Sequence, residues 1–329
     1  MTLLDIRSLS VTASTQGATL PIIQDVSLSI ARGEAVGLVG ESGSGKSMTA
    51  RSIMRLHGRN VTADGTIEFE GRDVLSMGVR ELRSYRRSDV SMIFQDPRAA
   101  INPVRTIGAF LTEGLRGSFG LSKQEATRRA IAAMAAVGIT RAEERMAQYP
   151  HEFSGGMLQR VMICSSLLAN SRLLLADEPT TALDVTTQAE VVGLLDDLRR
   201  ERGLGLLFIT HDLDLAAGLC DRVFVMYAGR IVEARAAKNF ESAAQHPYSR
   251  ALFEARPSVD FRAARLPAIP GVPLSASESA DACAFAPRCP YATDECRTSL
   301  PPLEEADAGD VRCIRVHEIP RAHLRGTAS

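Results

Sequence analysis

The chain has 329 residues, with 38 basic and 39 acidic side chains and a formal charge of −1. So even a balance excludes a bulk electrostatic attraction to nucleic acid or to an anionic bilayer, and any partner must be recognised locally. The length predicts a core domain of roughly 200 to 250 residues with a smaller companion; Met1–Ser10 has no leader-like pattern and no later run reaches ~18 apolar residues, which predicts a cytoplasmic location without a membrane span.

Val26, Leu28 and Ile30 alternate with polar residues as a half-buried strand would, and Ala31-Arg32-Gly33-Glu34 turns the chain into a second strand, Ala35-Val36-Gly37-Leu38-Val39. A glycine-rich stretch follows at once, and from Lys46 to His57-Gly58 the pattern is helical. Asp89 to Phe94 reads as a further strand, followed by Gln95-Asp96-Pro97 and a turn at Asn102-Pro103. Helical periodicity then dominates to about Leu168, with one helix over Lys123–Val137 and another that Ser154 caps and that starts near Met157. Residues 96–168 are therefore predicted to form a helical insertion between two strands.

Leu173-Leu174-Leu175-Ala176 and Gly205-Leu206-Leu207-Phe208-Ile209 read as buried strands, separated by a helix over Val185–Arg200 that Asp184 caps. This alternation predicts an α/β fold with a mainly parallel sheet covered by helices. Arg222–Tyr227 and Arg230–Glu233, joined through Ala228-Gly229, read as a hairpin. Beyond Arg250 prolines recur and periodicity fades, which sets a boundary there: residues 1–250 as one domain and 251–329 as a small cysteine-rich C-terminal region.

Cys164 and Cys220 stand alone in apolar stretches and are expected in the core. Cys283, Cys289, Cys296 and Cys313 crowd the end of the chain, with five, six and sixteen residues between successive members. In a chain without a leader, four such thiols predict a metal site over a disulfide scaffold. Four thiolates can hold an iron–sulfur cluster, and Pro290 after Cys289 makes a Cys-Pro pair found in some cluster proteins. Tetrahedral Zn2+ accepts the same sulfurs, and spacing alone leaves the two open. A metal would add folding free energy to a region too poor in apolar bulk for much of a core.

Gly40-Glu41-Ser42-Gly43-Ser44-Gly45-Lys46-Ser47 carries the chemistry. Its glycines let backbone N–H groups converge on phosphate, Lys46 offers a cation to the outer phosphates, and Ser47 offers a hydroxyl to Mg2+, so ATP with Mg2+ is the expected ligand. Asp177-Glu178 follows a buried strand, where Asp177 can fix the metal and Glu178 can polarise an attacking water. Gln95 and His211 also follow strands, on the side where open α/β sheets bind ligands. Gln95 could join metal or water, and His211 a terminal phosphate.

Phe153-Ser154-Gly155-Gly156-Met157-Leu158-Gln159-Arg160 resembles the signature of ABC ATPases, and it precedes Asp177-Glu178 as that family requires. Gln95 matches the family's Q-loop, Thr181-Ala182-Leu183-Asp184 its D-loop and His211 its switch histidine. Met92 to Pro97, Tyr149-Pro150-His151, His246-Pro247-Tyr248 and the segment from Cys283 to Cys296 resemble more narrowly the oligopeptide/dipeptide importer ATPases, whose nickel-importing relatives share much of the pattern.

The resemblance implies a head-to-tail ATPase dimer in which Gly40–Ser47 of one subunit faces Ser154, Gly155 and Gly156 of the other, with Asp184 counted among the nucleotide-binding residues. It implies a paralogous second ABC ATPase subunit, two transmembrane permease subunits and an extracytoplasmic substrate-binding protein, with no nucleic acid. The chain would act at the cytoplasmic face of the membrane, powering import of short peptides. A nickel or metal-chelate cargo is the alternative, and a soluble ABC ATPase outside transport a remote third. The resemblance also implies a structural [4Fe-4S] cluster on Cys283, Cys289, Cys296 and Cys313. One position departs: the family commonly sets an adenine-stacking aromatic after Leu-Ser-Val-Xaa, whereas Leu9-Ser10-Val11-Thr12 is followed by Ala13.

Overall fold

A computed structural model of the chain describes residues 1–15, 17–181, 183–256, 268–278, 281–307 and 309–319. Its strands are β1 (Thr2–Thr15), β2 (Ala18–Ala31), β3 (Ala35–Val39), β4 (Val61–Phe69), β5 (Arg72–Asp73), β6 (Val90–Ile93), β7 (Leu173–Asp177), β8 (Gly205–Thr210), β9 (Arg222–Tyr227), β10 (Arg230–Ala236), β11 (Glu304–Glu305) and β12 (Gly309–Val311). The principal helices are α1 (Lys46–Ile53), α2 (Val79–Ser88), α3 (Ile107–Gly117), α4 (Lys123–Ala136), α5 (Gly155–Ala169), α6 (Val185–Arg202), α7 (Leu213–Leu219) and α8 (Pro247–Glu254). Among the described residues no helix is long and apolar enough to cross a membrane. Two compact units emerge, one built on residues 76–209 with 1–3 and 30–35, the other on 4–29, 36–75 and 210–329.

In the first unit β6, β7 and β8 run parallel, with Val90 opposite Leu173 and Leu173 opposite Gly205. Every residue of these strands is buried, which is why they read as unbroken apolar runs without alternation. Helices α2 and α5 pack on β6, and α3, α4 and α5 pack on one another as the helical insertion. Each of those three helices starts on a hydroxyl cap: Thr106 accepts from the Ala109 N–H, Ser122 from Glu125 and Ser154 from Met157. Gly108 lets α3 approach the chain at Met146, where an added Cβ would stand 2.6 Å from the carbonyl oxygen.

The second unit holds a four-stranded sheet ordered β2-β1-β4-β5 and a separate run in which β3 lies parallel to β9 while β10, β12 and β11 follow antiparallel. Strand β1 escapes a period-two reading because its register slips between Arg7 and Ser10, where Ser8 takes φ 48°. Such a bulge moves Leu9 and Val11 into the core out of phase with Leu4 and Ile6, and Gly65 on β4 leaves room for it. The β9–β10 hairpin turns on Ala228 and Gly229, both left-handed, as a tight antiparallel turn requires.

A buried ion pair fastens the end of the chain to that hairpin. The Glu233 carboxylate, fully buried, accepts Arg235 Nε at 2.6 Å and the N–H groups of Gln245 and His246 at 2.8 and 3.0 Å. Arg235 in turn donates to the carbonyls of Ala306 and Asp307. Each charge thus meets hydrogen-bonding protein partners, the condition under which a buried pair is tolerated.

His246 caps α8, its Nδ1 accepting the Tyr248 N–H at 3.1 Å, which leaves the ring proton on Nε2. Burial is the main cause of a pKa lowered from 6.5 to about 3. Between those values the unfolded chain takes up a proton that the folded chain refuses, so this contribution to stability is full above 6.5 and is lost as pH falls toward 3. We expect His246→Asn, which keeps a capping acceptor but does not titrate, to flatten the dependence of the urea midpoint on pH in that interval. An unchanged slope would locate the acid sensitivity elsewhere.

Candidate functional site

The glycine-rich loop joins β3 to α1 in the second unit. Gly40, Gly43 and Gly45 take φ 151°, 81° and 108°, conformations that L side chains rarely adopt. A Cβ on Gly40 would stand 2.1 Å from the Met226 carbonyl oxygen, so the loop lies directly against β9. Lys46, buried at the start of α1, donates from Nζ to the carbonyls of Gly40 and Glu41 at 2.8 and 2.9 Å. Gly45 is the N-cap of α1 and supplies no side-chain acceptor, which leaves the helix's positive end for an anion. Ser44 Oγ is buried without a hydrogen-bond partner among the described residues. A phosphate oxygen would satisfy both needs, so the loop fits ATP, and the Ser47 hydroxyl in the first turn is a hard donor suited to Mg2+.

Glu41 is held on three sides. Its N–H donates to the Tyr248 hydroxyl at 2.8 Å, its carbonyl accepts Lys46, and its carboxylate accepts Arg288 Nη1 and Nη2 at 2.7 and 3.1 Å. Burial pushes the Tyr248 phenol up, so it stays a neutral hydroxyl. Tyr248 and Arg288 lie more than 200 residues from the loop in sequence and were not among the expected site residues. The His246-Pro247-Tyr248 run gives a signal of its own, a histidine cap followed by proline at the first helical position, but nothing in it points to Glu41.

In the first unit Asp177 ends β7, buried, and Glu178 follows with φ 47°. The Glu178 N–H donates to the Ile209 carbonyl at 2.9 Å, which anchors its backbone. Its carboxylate accepts Gln95 Nε2 at 3.1 Å and Thr181 Oγ1 at 2.9 Å, so Gln95 and Glu178, 83 residues apart, meet through one oxygen. Asp177 offers a carboxylate of the type that Mg2+ prefers. Ser154 is the N-cap of α5 with Gly155 and Gly156 in its first turn, and Gly156 is confined by Thr187, whose Cγ2 would lie 2.9 Å from an added Cβ. Asp184 caps α6, and the Thr187 N–H and hydroxyl hold its carboxyl below the usual range. In the second unit His211 is exposed just past the end of β8. Ala182 lies outside the described residues.

The model of the ABC transporter family matches residues 23–181, and that of the oligopeptide/dipeptide transporter C-terminal region matches 232–296. The oligopeptide transport ATP-binding proteins OppD of Salmonella typhimurium and of Escherichia coli are each 44% identical over 94% of this chain and 92% of theirs. This chain is a member of the oligopeptide/dipeptide ABC importer ATPases. Its activity is ATP hydrolysis coupled to peptide import, and the relatives give no support to a nickel or metal-chelate cargo. A probable peptide transporter ATP-binding protein of Sinorhizobium fredii is 42% identical over 96% of both chains. Among solved structures, an ATP-binding cassette bound to ADP and Pi superposes with a TM-score of 0.65 at 26% identity, covering 71% of this chain and 99% of that one.

The cysteine expectation is corrected. Among the described residues no group of three or more His, Cys, Asp or Glu is arranged to hold a metal ion, and no disulfide joins any of the six cysteines. The [4Fe-4S] cluster on Cys283, Cys289, Cys296 and Cys313, and its Zn2+ alternative, are therefore not sustained. Spacing supplied a ligand count without a ligand geometry. Burial instead pushes the Cys283 and Cys289 thiols up and Cys313 to about 11, while Cys296 is buried beside the Thr293 hydroxyl. The tie that a metal was expected to provide comes from Arg288, Arg235 and the β10–β12 pairing.

The loop geometry carries a direct expectation. Gly40→Ala must displace either the loop or β9, and forcing a side chain into such a conformation costs of order 1–3 kcal/mol. We expect the variant to fold, with unchanged far-ultraviolet circular dichroism, and to lose ATP binding by about tenfold or more in calorimetry.

Proposed function

We propose that this chain is one half of a head-to-tail ATPase pair whose closure on ATP drives peptide uptake. Residues 1–250 act as the nucleotide-binding domain and 251–329 as the C-terminal region. Gly40, Glu41, Ser42, Gly43, Ser44, Gly45 and Lys46 hold the phosphates. Ser47, Asp177 and Gln95 hold Mg2+, Glu178 activates water, and His211 attends the terminal phosphate. Ser154, Gly155 and Gly156 address the nucleotide on the opposite subunit, and Asp184 lies at the junction.

The observation that carries the reading is the pairing of Gln95 with Glu178, because it joins the expected water-activating carboxylate to the residue expected to sense the metal. A flexible amide bonded to a general base gives nucleotide arrival a route to the base, since metal and carboxylate compete for one side chain. The orphaned Ser44 hydroxyl and the uncapped start of α1 support phosphate binding at the loop. The neighbour bound to ADP and Pi is described as dimeric, which supports pairing.

The partner subunit is proposed to be a paralogue, and two permeases with an extracytoplasmic binding protein complete the assembly. An open groove on α2, α3 and α5, lined by Leu82, Arg83, Phe110, Leu115, Phe119 and Leu168, supports a permease contact on the helical insertion. Extraction in mild detergent should recover the chain with two integral membrane proteins, and peptide-loaded binding protein should stimulate its ATPase. A chain that never co-purifies with such proteins would overturn the assembly.

Glu178→Gln keeps the size and the hydrogen bonds of the side chain but removes its basicity, so hydrolysis by the assembled transporter should fall by about 100-fold or more. ATP binding should persist. Ala13, half-buried opposite Val61, offers no ring at the position where the family commonly stacks the adenine. Ala13→Tyr should tighten ATP binding by an amount on the order of one stacked base, about 1–3 kcal/mol, with GTP gaining as well because every base has a π face. Equal affinity in the variant and the native chain would remove the base from this strand.

A further inference from the structure

We propose that Arg288, assisted by Tyr248, is a positioning residue for the phosphate loop, holding Glu41 so that nucleotide binding and the seating of the C-terminal segment are one linked equilibrium. The inference rests on the reading of Gly40–Ser47 as the phosphate loop.

Three glycines with positive φ give the loop its shape and also its freedom, so the shape has to be imposed from outside. One fastening is the Gly229 N–H, which donates to the Ser44 carbonyl at 2.9 Å. The other is Glu41. While Lys46 donates to the Gly40 and Glu41 carbonyls, it helps to close the loop on itself. A bound phosphate draws that ammonium away, and Tyr248 and Arg288 then remain as the fastenings on Glu41.

Arg288 is built for this task. Its side chain is 3% exposed and lies over the rings of Tyr227 and Phe285, 5.8 Å from each centroid. Nε donates to the Pro270 carbonyl at 2.8 Å, and Nη1 also reaches the Tyr227 hydroxyl at 3.2 Å. A guanidinium so enclosed is tolerated only while its carboxylate is in place. The fork geometry fixes the carboxylate in direction as well as distance, which an ammonium cannot do. Tyr248, 4.5 Å from Tyr227 and 5.4 Å from Phe285, belongs to the same aromatic group.

Charge gives a second role. Glu41 places a negative group beside the site of a polyanion, and Arg288 neutralises it. Loss of Arg288 would therefore loosen the loop and leave a carboxylate that repels phosphate. Linkage makes the effect reciprocal: if the seated segment favours ATP, ATP must favour the seated segment.

Calorimetry with Mg2+ and ATP on the full chain tests this. Arg288→Met should weaken binding by about tenfold or more, and Arg288→Lys should recover part of it. Glu41→Gln placed in the Arg288→Met background should also recover part, because the repulsion is gone. A purely structural role would leave the double variant no better than the single one, and that result, or unaltered affinity in Arg288→Met, overturns the inference. Amide exchange in the native chain decides the matter even where Arg288→Met does not fold: ATP should slow exchange in residues 283–290, and no change there overturns the linkage. Lys46→Ala serves as the control. If it binds ATP normally, the phosphate-loop reading itself fails; if it does not bind while Arg288→Met does, only the positioning role fails.

Discussion

The site depends on a constraint that the glycine-rich loop cannot meet alone. A backbone rich in positive φ is free to take many shapes in the unfolded chain, and ordering it into one is costly. Here the restraint is concentrated on Glu41, whose amide, carbonyl and carboxylate each meet a different partner. Two of the three partners come from the C-terminal half of the chain, so the fold of that half is a precondition for the shape of the loop. The aromatic group of Tyr227, Tyr248 and Phe285 supplies the rigidity, and the buried Glu233–Arg235 pair keeps the turn at Gln245 and His246 in register with it.

Much of this was legible in the sequence where the code is local. Caps at Ser154 and Asp184 depend on residues three positions apart, and the central strands announce themselves as apolar runs. The phosphate loop, Asp177-Glu178 and the signature serine can be read because each is a short contiguous motif. Strand β1 could not be read so easily, since one left-handed residue at Ser8 resets its alternation. Helix α2 is only ten residues long, and of Val79, Leu82 and Tyr85 at helical spacing only Tyr85 is buried, a stripe too short to stand out among its charges.

What stayed hidden is long-range and polar. Arg288 reads in sequence as one more surface arginine beside a cysteine, and only the fold sets it against Glu41. The opposite error attended Cys283, Cys289, Cys296 and Cys313. There a count and a compartment suggested a ligand set, and the region's scarcity of apolar bulk suggested that it needed one. Neither argument constrained geometry. The segment is held by guanidinium groups buried against carbonyls and carboxylates, a solution that composition does not advertise.

The pairing of β12 with β10 has a consequence for how the molecule behaves in a crowd. Strand β10 is buried over five of its seven residues, the Glu233–Arg235 pair included, and a strand of that length left at an open edge is a template for pairing with another chain. Strands β12 and β11 cover it with only three and two residues, and Glu304, Glu305 and Asp310 bring charge to the new margin. So short and acidic a border ends the sheet instead of extending it. The same few residues that complete the fold also guard it against self-association, and a chain cut short before Glu304 would carry the β10 edge uncovered.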